Sequence, residues 1–221
     1  MTDKIKAAVF DMDGTLVDSL MLWDVLWERL GDRYPGKKGF RPTEEQDRAV
    51  RTMTLKAAMD YIHRVCKIGE NGEELLRIAE ELIDGFYENE VCLKDGVLEF
   101  LTHCKEKGIP MCIASATARP YIEAGLRHCG IDGFFPRIFS CAEIGKGKDE
   151  PDIFLAAAEF LGASPEETCI FEDSLVAVRT AHRAGMMTVG IFDRSNYGAE
   201  ELAVTADVYI AEGETLKKLI R

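Results

Sequence analysis

The sequence predicts an α/β fold: a mostly parallel sheet covered by helices on both faces, with an all-helical segment inserted after the first strand. Three observations predict it. The apolar run Ile5 to Phe10 ends abruptly in Asp11-Met12-Asp13-Gly14-Thr15, as a buried strand entering a tight turn does. Between Asp18 and Glu90 apolar residues recur only at helical spacing, and no strand-like run interrupts them. From Lys94 onward short apolar runs alternate with helix-period stretches, the pattern of β-α units.

Taken in order, Leu20, Trp23, Trp27 and Leu30 fall three and four residues apart and predict a first helix, which Gly31 to Pro42 ends. One helical stretch is expected from Thr43 to about Cys66, and another from Gly72 to about Asn89 with Leu75, Ala79, Leu82 and Phe86 on one face. After Lys94 the expected elements are a helix through Val97, Leu101 and Cys104, a strand at 110–114, a helix at 120–129 and a strand at 137–140. A helix at 151–161, a strand at 168–171, a helix at 175–184, strands at 186–191 and 207–210 and a closing helix to Ile220 complete the chain. The domains so drawn are a Rossmann-like three-layer core, residues 1–17 and 92–221, and a helical cap, residues 18–91.

The composition narrows the function. With 27 Lys and Arg against 39 Asp and Glu, the chain of 221 residues carries a formal charge of -12, which disfavours nucleic-acid polymers and anionic membranes as partners. An anionic substrate would need local neutralisation. The seven cysteines contain no C-x-x-C pair and several lie in apolar runs, so they are expected to be free and structural, in a reducing cytoplasm. The N-terminal apolar run is too short for a signal peptide or a membrane span.

In an open parallel sheet, ligands bind beyond the carboxyl ends of the strands. There the sequence sets Asp11 and Asp13 after the first strand, Ser115 after the second, and Glu172 and Asp173 after the fourth, with Lys148 in a nearby loop. Carboxylates crowded together repel unless a cation lies among them, and oxygen-only ligands point to Mg²⁺. A carboxylate nucleophile beside Mg²⁺, with a second carboxylic acid two residues on, is competent for phosphoryl transfer. An EF-hand calcium loop is excluded, because residue 22, where the bidentate Glu would stand, is Leu.

Four segments in order carry a resemblance: Asp11-Met12-Asp13-Gly14-Thr15-Leu16-Val17-Asp18-Ser19, Ala114-Ser115-Ala116-Thr117, Lys148-Asp149-Glu150-Pro151-Asp152 and Phe171-Glu172-Asp173-Ser174. On these the chain resembles the haloacid dehalogenase-like superfamily, in its subgroup with a helical cap. The resemblance implies a Mg²⁺-dependent phosphatase acting on a small phosphorylated metabolite through an aspartyl-phosphate. It makes Asp11 the nucleophile and Asp13 the acid and base, with Ser115 and Lys148 holding the phosphoryl oxygens. It implies Mg²⁺ bound by Asp11, the Asp13 carbonyl and Asp173, with Glu172 helping directly or through water. The turn at Gly14 and Thr15, together with Ala116, would line the phosphoryl site. Arg51 and Thr52 lie where relatives place specificity residues. The third segment has Asp149 where Pro is usual, and Lys146 lies close by, but the spacing to Pro151-Asp152 favours Lys148. Ala177 stands where a Gly is common.

Asp13 argues against dehalogenation and phosphonate cleavage, which in the resembling family go with loss or replacement of that residue. The alternative within the same chemistry is a β-phosphoglucomutase-like sugar-phosphate mutase. A receiver-like signalling module shares the acidic pocket, but its phosphoacceptor follows a later strand and it carries no cap. Trp23 and Trp27 are expected to pack the cap, and His63, His103, His128 and His182 to be structural. The chain is expected to act as a monomer.

Overall fold

The computed structural model describes residues 5–50, 53–196 and 198–220. In chain order its regular elements begin with β1 (Ala7–Phe10), α1 (Leu22–Asp32), α2 (Glu44–Val50), α3 (Leu55–Cys66), α4 (Gly72–Asn89), α5 (Val97–Glu106) and β2 (Met111–Ser115). Then come α6 (Arg119–His128), β3 (Ile138–Ser140), α7 (Cys141–Ile144), α8 (Asp152–Phe160), β4 (Thr168–Glu172), α9 (Leu175–Arg183), β5 (Met187–Ile191), α10 (Ala199–Thr205) and β6 (Val208–Ile210). They form two compact units, Met1–Leu20 with Val91–Arg221, and Met21–Glu90.

The first unit is built on a six-stranded sheet of order β3-β2-β1-β4-β5-β6, every neighbouring pair parallel. Every residue of β1, β2 and β4 is buried, because helices cover both faces and leave no solvated side on which polar residues could alternate. On one face Phe10 stacks on Phe171 with ring centroids 4.4 Å apart, and Phe100 of α5 lies 5.3 Å from Phe171. On the other, Val9 and Ile170 pack with Phe154 and Ala157 of α8 and Ala177 of α9. Alternate residues of the same strands thus feed two apolar layers, each large side chain contributing about 1.5–3 kcal/mol of burial.

In the second unit, Leu26, Trp27 and Leu30 of α1 meet Ala58, Met59 and Ile62 of α3 and Leu75 and Ala79 of α4. Trp27 packs this core as expected, and its indole N–H donates to Asp47 Oδ1 at 2.9 Å. The single helix expected from Thr43 to Cys66 is two helices. Thr54 adopts an extended conformation and caps α3, its Oγ1 accepting from the Ala57 N–H at 3.3 Å, so the chain cannot run through it as a helix. At the C-terminus the expected helix is only a 3₁₀ turn, Leu216–Leu219, capped by Thr215. Helices α7 and α10 were not anticipated, being too short for a 3.6-residue period to declare itself.

Candidate active site

The site starts from strand register. β1 and β4 are neighbours with Phe10 opposite Phe171, so Asp11 and Glu172 arrive side by side, and the Asp11 N–H donates to the Phe171 carbonyl at 2.9 Å. Strand order reverses between these two strands, which is where a parallel sheet opens a crevice. Asp11, Glu172 and Asp173 are all buried there. Lys148 reaches in from the loop between α7 and α8 and donates to Asp11 Oδ1 and, at 2.6 Å, to Glu172 Oε2. Lys146 instead pairs with Asp152 at 2.8 Å on the surface. Of the two lysines, geometry brings Lys148 to the carboxylates.

The turn after β1 is held by its own backbone. The N–H groups of Leu16 and Val17 donate to the Met12 carbonyl at 2.9 and 3.0 Å, and that of Gly14 donates to the Val17 carbonyl at 2.9 Å. Gly14 is required twice over. Its φ of +76° lies in the left-handed region, and a Cβ there would stand 2.5 Å from Asp173 Oδ2. Thr15 donates its hydroxyl to Asp173 Oδ1 at 3.2 Å and its N–H to the Met12 carbonyl at 3.3 Å. The N–H groups of Gly14 and Thr15 thus shape the turn, and the Thr15 hydroxyl seats Asp173.

Asp13 is half-buried, with Ser19 donating to Oδ1 at 2.6 Å and Thr117 to Oδ2 at 2.7 Å. Ser115 ends β2 rather than following it, and its buried Oγ accepts from the Thr117 N–H at 3.1 Å. Ala116 is exposed in the loop beyond. Arg51 and Thr52 lie outside the described residues.

One carboxyl oxygen from each of Asp11, Glu172 and Asp173 can be chosen so that all lie within 4.8 Å of one another. The Asp13 carboxyl is not in this trio, consistent with its two hydroxyl partners. Burial pushes the Asp11 carboxyl up to about 8, against the pull of Lys148 and with Glu172 and Asp13 adding to the rise. Asp173 is likewise raised well above the usual carboxylate range, first by burial and then by Glu172 and Asp11. Burial opposes the charge on Lys148, but Asp11 and Glu172 outweigh it and hold the ammonium protonated. Three acids share one ammonium, an excess of negative charge that a divalent cation among oxygen donors would balance. The donor set therefore fits a hard metal ion.

Several neighbours were not singled out from sequence. Ser19 and Thr117 stand inside the quoted segments, where their reach to Asp13 could have been suspected. Asn196, which donates to Asp173, lies in a loop with no motif to mark it. Away from the site, His63 bonds the Ile68 carbonyl at 2.9 Å, a structural role, and none of the seven cysteines is in a disulfide. No helix among the described residues is long and apolar enough to cross a membrane.

The chain is similar to known proteins over most of its length. A family model described as haloacid dehalogenase-like hydrolase matches residues 5–185. The phosphorylated carbohydrates phosphatase of Thermotoga maritima is 26% identical over 97% of this chain and 98% of its own. Hexitol phosphatase A of Escherichia coli is 27% identical over 85% of this chain and 83% of its own. A crystal structure from Thermotoga maritima, named as a candidate beta-phosphoglucomutase, superimposes with a TM-score of 0.78 at 26% identity, covering 93% of this chain and 94% of its own.

Proposed function

Because the chain belongs to the haloacid dehalogenase-like hydrolase family, we propose that it hydrolyses a small phosphorylated metabolite, a sugar phosphate or similar phosphomonoester, through a phosphoryl group carried transiently on Asp11. The observation that carries this reading is the crevice between β1 and β4, where Asp11, Glu172 and Asp173 are buried around the Lys148 ammonium. A net charge of -12 repels an anionic substrate, and this crevice is where the chain concentrates the means to neutralise one.

In the first half-reaction an Asp11 carboxylate oxygen attacks phosphorus, and the bond to the ester oxygen breaks as Asp13 gives that oxygen a proton. In the second, Asp13 takes a proton from water, which attacks the same phosphorus, freeing inorganic phosphate and restoring Asp11. Ser19 and Thr117 suit both states of Asp13, since each hydroxyl can donate to a carboxylate or accept from a carboxylic acid. Lys148 offsets charge on the transferring group, and the Ser115 hydroxyl, whose oxygen already accepts from Thr117, keeps its proton for a phosphoryl oxygen.

Asp11, Asp173 and the Asp13 carbonyl would hold Mg²⁺, with Glu172 contributing directly or through water. The ion supplies charge neutralisation and orientation for the phosphoryl oxygens. Substrate choice is assigned to residues 18–91 acting as a cap, Arg51 and Thr52 among them. The protein works in this reading as a cytoplasmic monomer.

The test is hydrolysis of an aryl phosphate and of a panel of sugar phosphates. Asp11→Asn is expected to abolish turnover while the fold persists, EDTA to silence the wild type, and Mg²⁺ to restore it. Turnover by Asp11→Asn removes that residue as nucleophile, and turnover after thorough chelation removes the metal. The structural likeness to a candidate beta-phosphoglucomutase favours one further arm. Conversion of a sugar monophosphate to its isomer, dependent on traces of sugar bisphosphate, would identify a mutase.

A further inference from the structure

The loop after β5 sends one side chain to the acidic centre. Asn196 Nδ2 donates to the Asp173 carbonyl at 2.8 Å and to Asp173 Oδ2 at 2.7 Å, so a single amide grips backbone and side chain of the same residue. The other carboxyl oxygen, Oδ1, receives the Thr15 hydroxyl at 3.2 Å. Both oxygens of Asp173 are therefore held by neutral donors, which fixes the plane of the carboxylate without competing for its charge.

The loop is itself anchored. The Phe192 N–H donates to the Ile210 carbonyl at 2.9 Å, and Asp193 Oδ1 accepts from the Ser195 N–H at 2.8 Å in a tight Asx turn. Asp193 Oδ2 forms an ion pair with Lys94 at 2.7 Å, the two side chains being only 2% and 19% exposed. Lys94 also donates from Nζ to the Phe192 carbonyl at 3.0 Å and from its backbone N–H to the Leu16 carbonyl at 2.9 Å. One half-buried lysine thus ties the loop carrying Asn196 to the turn carrying Asp11 and Thr15. Such fastening is more than a surface loop needs.

We infer that Asn196 is a positioning residue that sets the carboxylate of Asp173 for metal binding, acting through Asp173 and not on the substrate. The inference rests on the metal reading above, and the experiment separates the two. Metal-free full-length protein is titrated with Mg²⁺ by calorimetry, for wild type, Asn196→Ala and Asn196→Leu, the last close in size but without a donor. Loss of an outer-shell partner of this kind weakens metal binding by about 10–100-fold. That loss is expected in both variants, with melting temperature in EDTA unchanged and KM for an aryl phosphate at saturating Mg²⁺ unchanged. Asn196→Gln, which keeps the amide donor, is expected to recover part of the affinity.

Wild-type Mg²⁺ affinity in Asn196→Ala and Asn196→Leu overturns the inference alone. A lowered melting temperature in EDTA with unaltered Mg²⁺ affinity also overturns it, since that is the mark of a purely structural residue. If the wild type binds no Mg²⁺, the metal reading fails and the inference with it. Should Asn196→Ala and Asn196→Leu not fold, Asn196→Ser, which keeps a shorter donor and loses the two-point grip, is judged by the same criteria.

Discussion

Replacing Lys148 by Met keeps most of the side chain's volume and removes its charge, which isolates the electrostatic role of this residue. The ammonium bonds Asp11 Oδ1 and Glu172 Oε2 with only 10% of its side chain exposed, so solvent screening is weak. Breaking a buried ion pair from one side costs about 3–5 kcal/mol, because the partner charges stay behind unpaired. That is the loss expected for Lys148→Met at pH 8 without metal, read as a drop of roughly 1.5–2.5 M in urea midpoint for a slope near 2 kcal/mol/M.

The pH dependence follows from Asp11. Its folded-state pKa is raised from 3.8 to about 8, first by burial, so its ionisation opposes folding. The stability linked to this group is full below the unfolded value and is lost as pH rises toward 8. Lys148, raised by Asp11 and Glu172 against burial, stays protonated throughout this range and adds no slope of its own. At pH 5 Asp11 is already neutral and one charge fewer stands beside the lysine, so the loss in Lys148→Met should shrink to about 1–3 kcal/mol. Urea titrations of metal-free wild type and Lys148→Met at pH 5 and pH 8 measure both values. An equal loss at the two pH values, or a loss below about 1 kcal/mol at pH 8, would refute the electrostatic argument.

Gly14→Ala forces a left-handed Ala, costing about 1–2 kcal/mol, and drives a Cβ to 2.5 Å from Asp173 Oδ2. Thermal unfolding should show the former and a weakened Mg²⁺ titration the latter, and normal Mg²⁺ affinity would mean Asp173 yields freely. With a thiol-specific reagent on native protein at pH 8, exposed Cys92 should react first. Cys104, Cys112 and Cys169 should wait for unfolding, since burial pushes the Cys104 and Cys112 thiols up to about 11 and about 12 and raises that of Cys169 as well. Thr54→Ala removes the cap of α3 and should destabilise the protein by about 1 kcal/mol without affecting aryl phosphate turnover, as chemical denaturation and a rate assay would reveal.

The sheet was legible because its strands are apolar runs bounded by Gly, Pro and Asp, and because burial on both faces removes the polar residues that would blur them. The acidic centre was legible for a related reason: Asp11, Ser115, Glu172 and Asp173 each sit where an apolar run stops, so strand ends announced them in advance. What stayed hidden depends on contacts between distant segments. Thr54 as a helix start and the break in the 43–66 stretch turn on one extended residue within a helical pattern. Asn196 meets Asp173 only because β5 lies beside β4 and the Asp193 turn bends the chain back, and neither fact leaves a local trace in sequence. The use of Gly14 and Thr15 within their own turn was equally invisible, since a donor's partner cannot be read from its identity.

Residues Val17 and Leu93 form an antiparallel bridge, flanked by hydrogen bonds from the Asp18 N–H to the Cys92 carbonyl and from the Lys94 N–H to the Leu16 carbonyl, each 2.9 Å. The chain therefore leaves the first unit and returns to it at adjacent points, already paired, with Met21–Glu90 spooled out between them. For the polymer this reduces an insertion of about 70 residues to a loop whose ends are fixed, and closure entropy grows only with the logarithm of loop length, about 0.6 kcal/mol per doubling. Segments of very different size can be exchanged at this junction at little thermodynamic cost to the sheet. The two ends of the helical segment are thereby fastened to each other within the first unit, whatever length of chain runs between them.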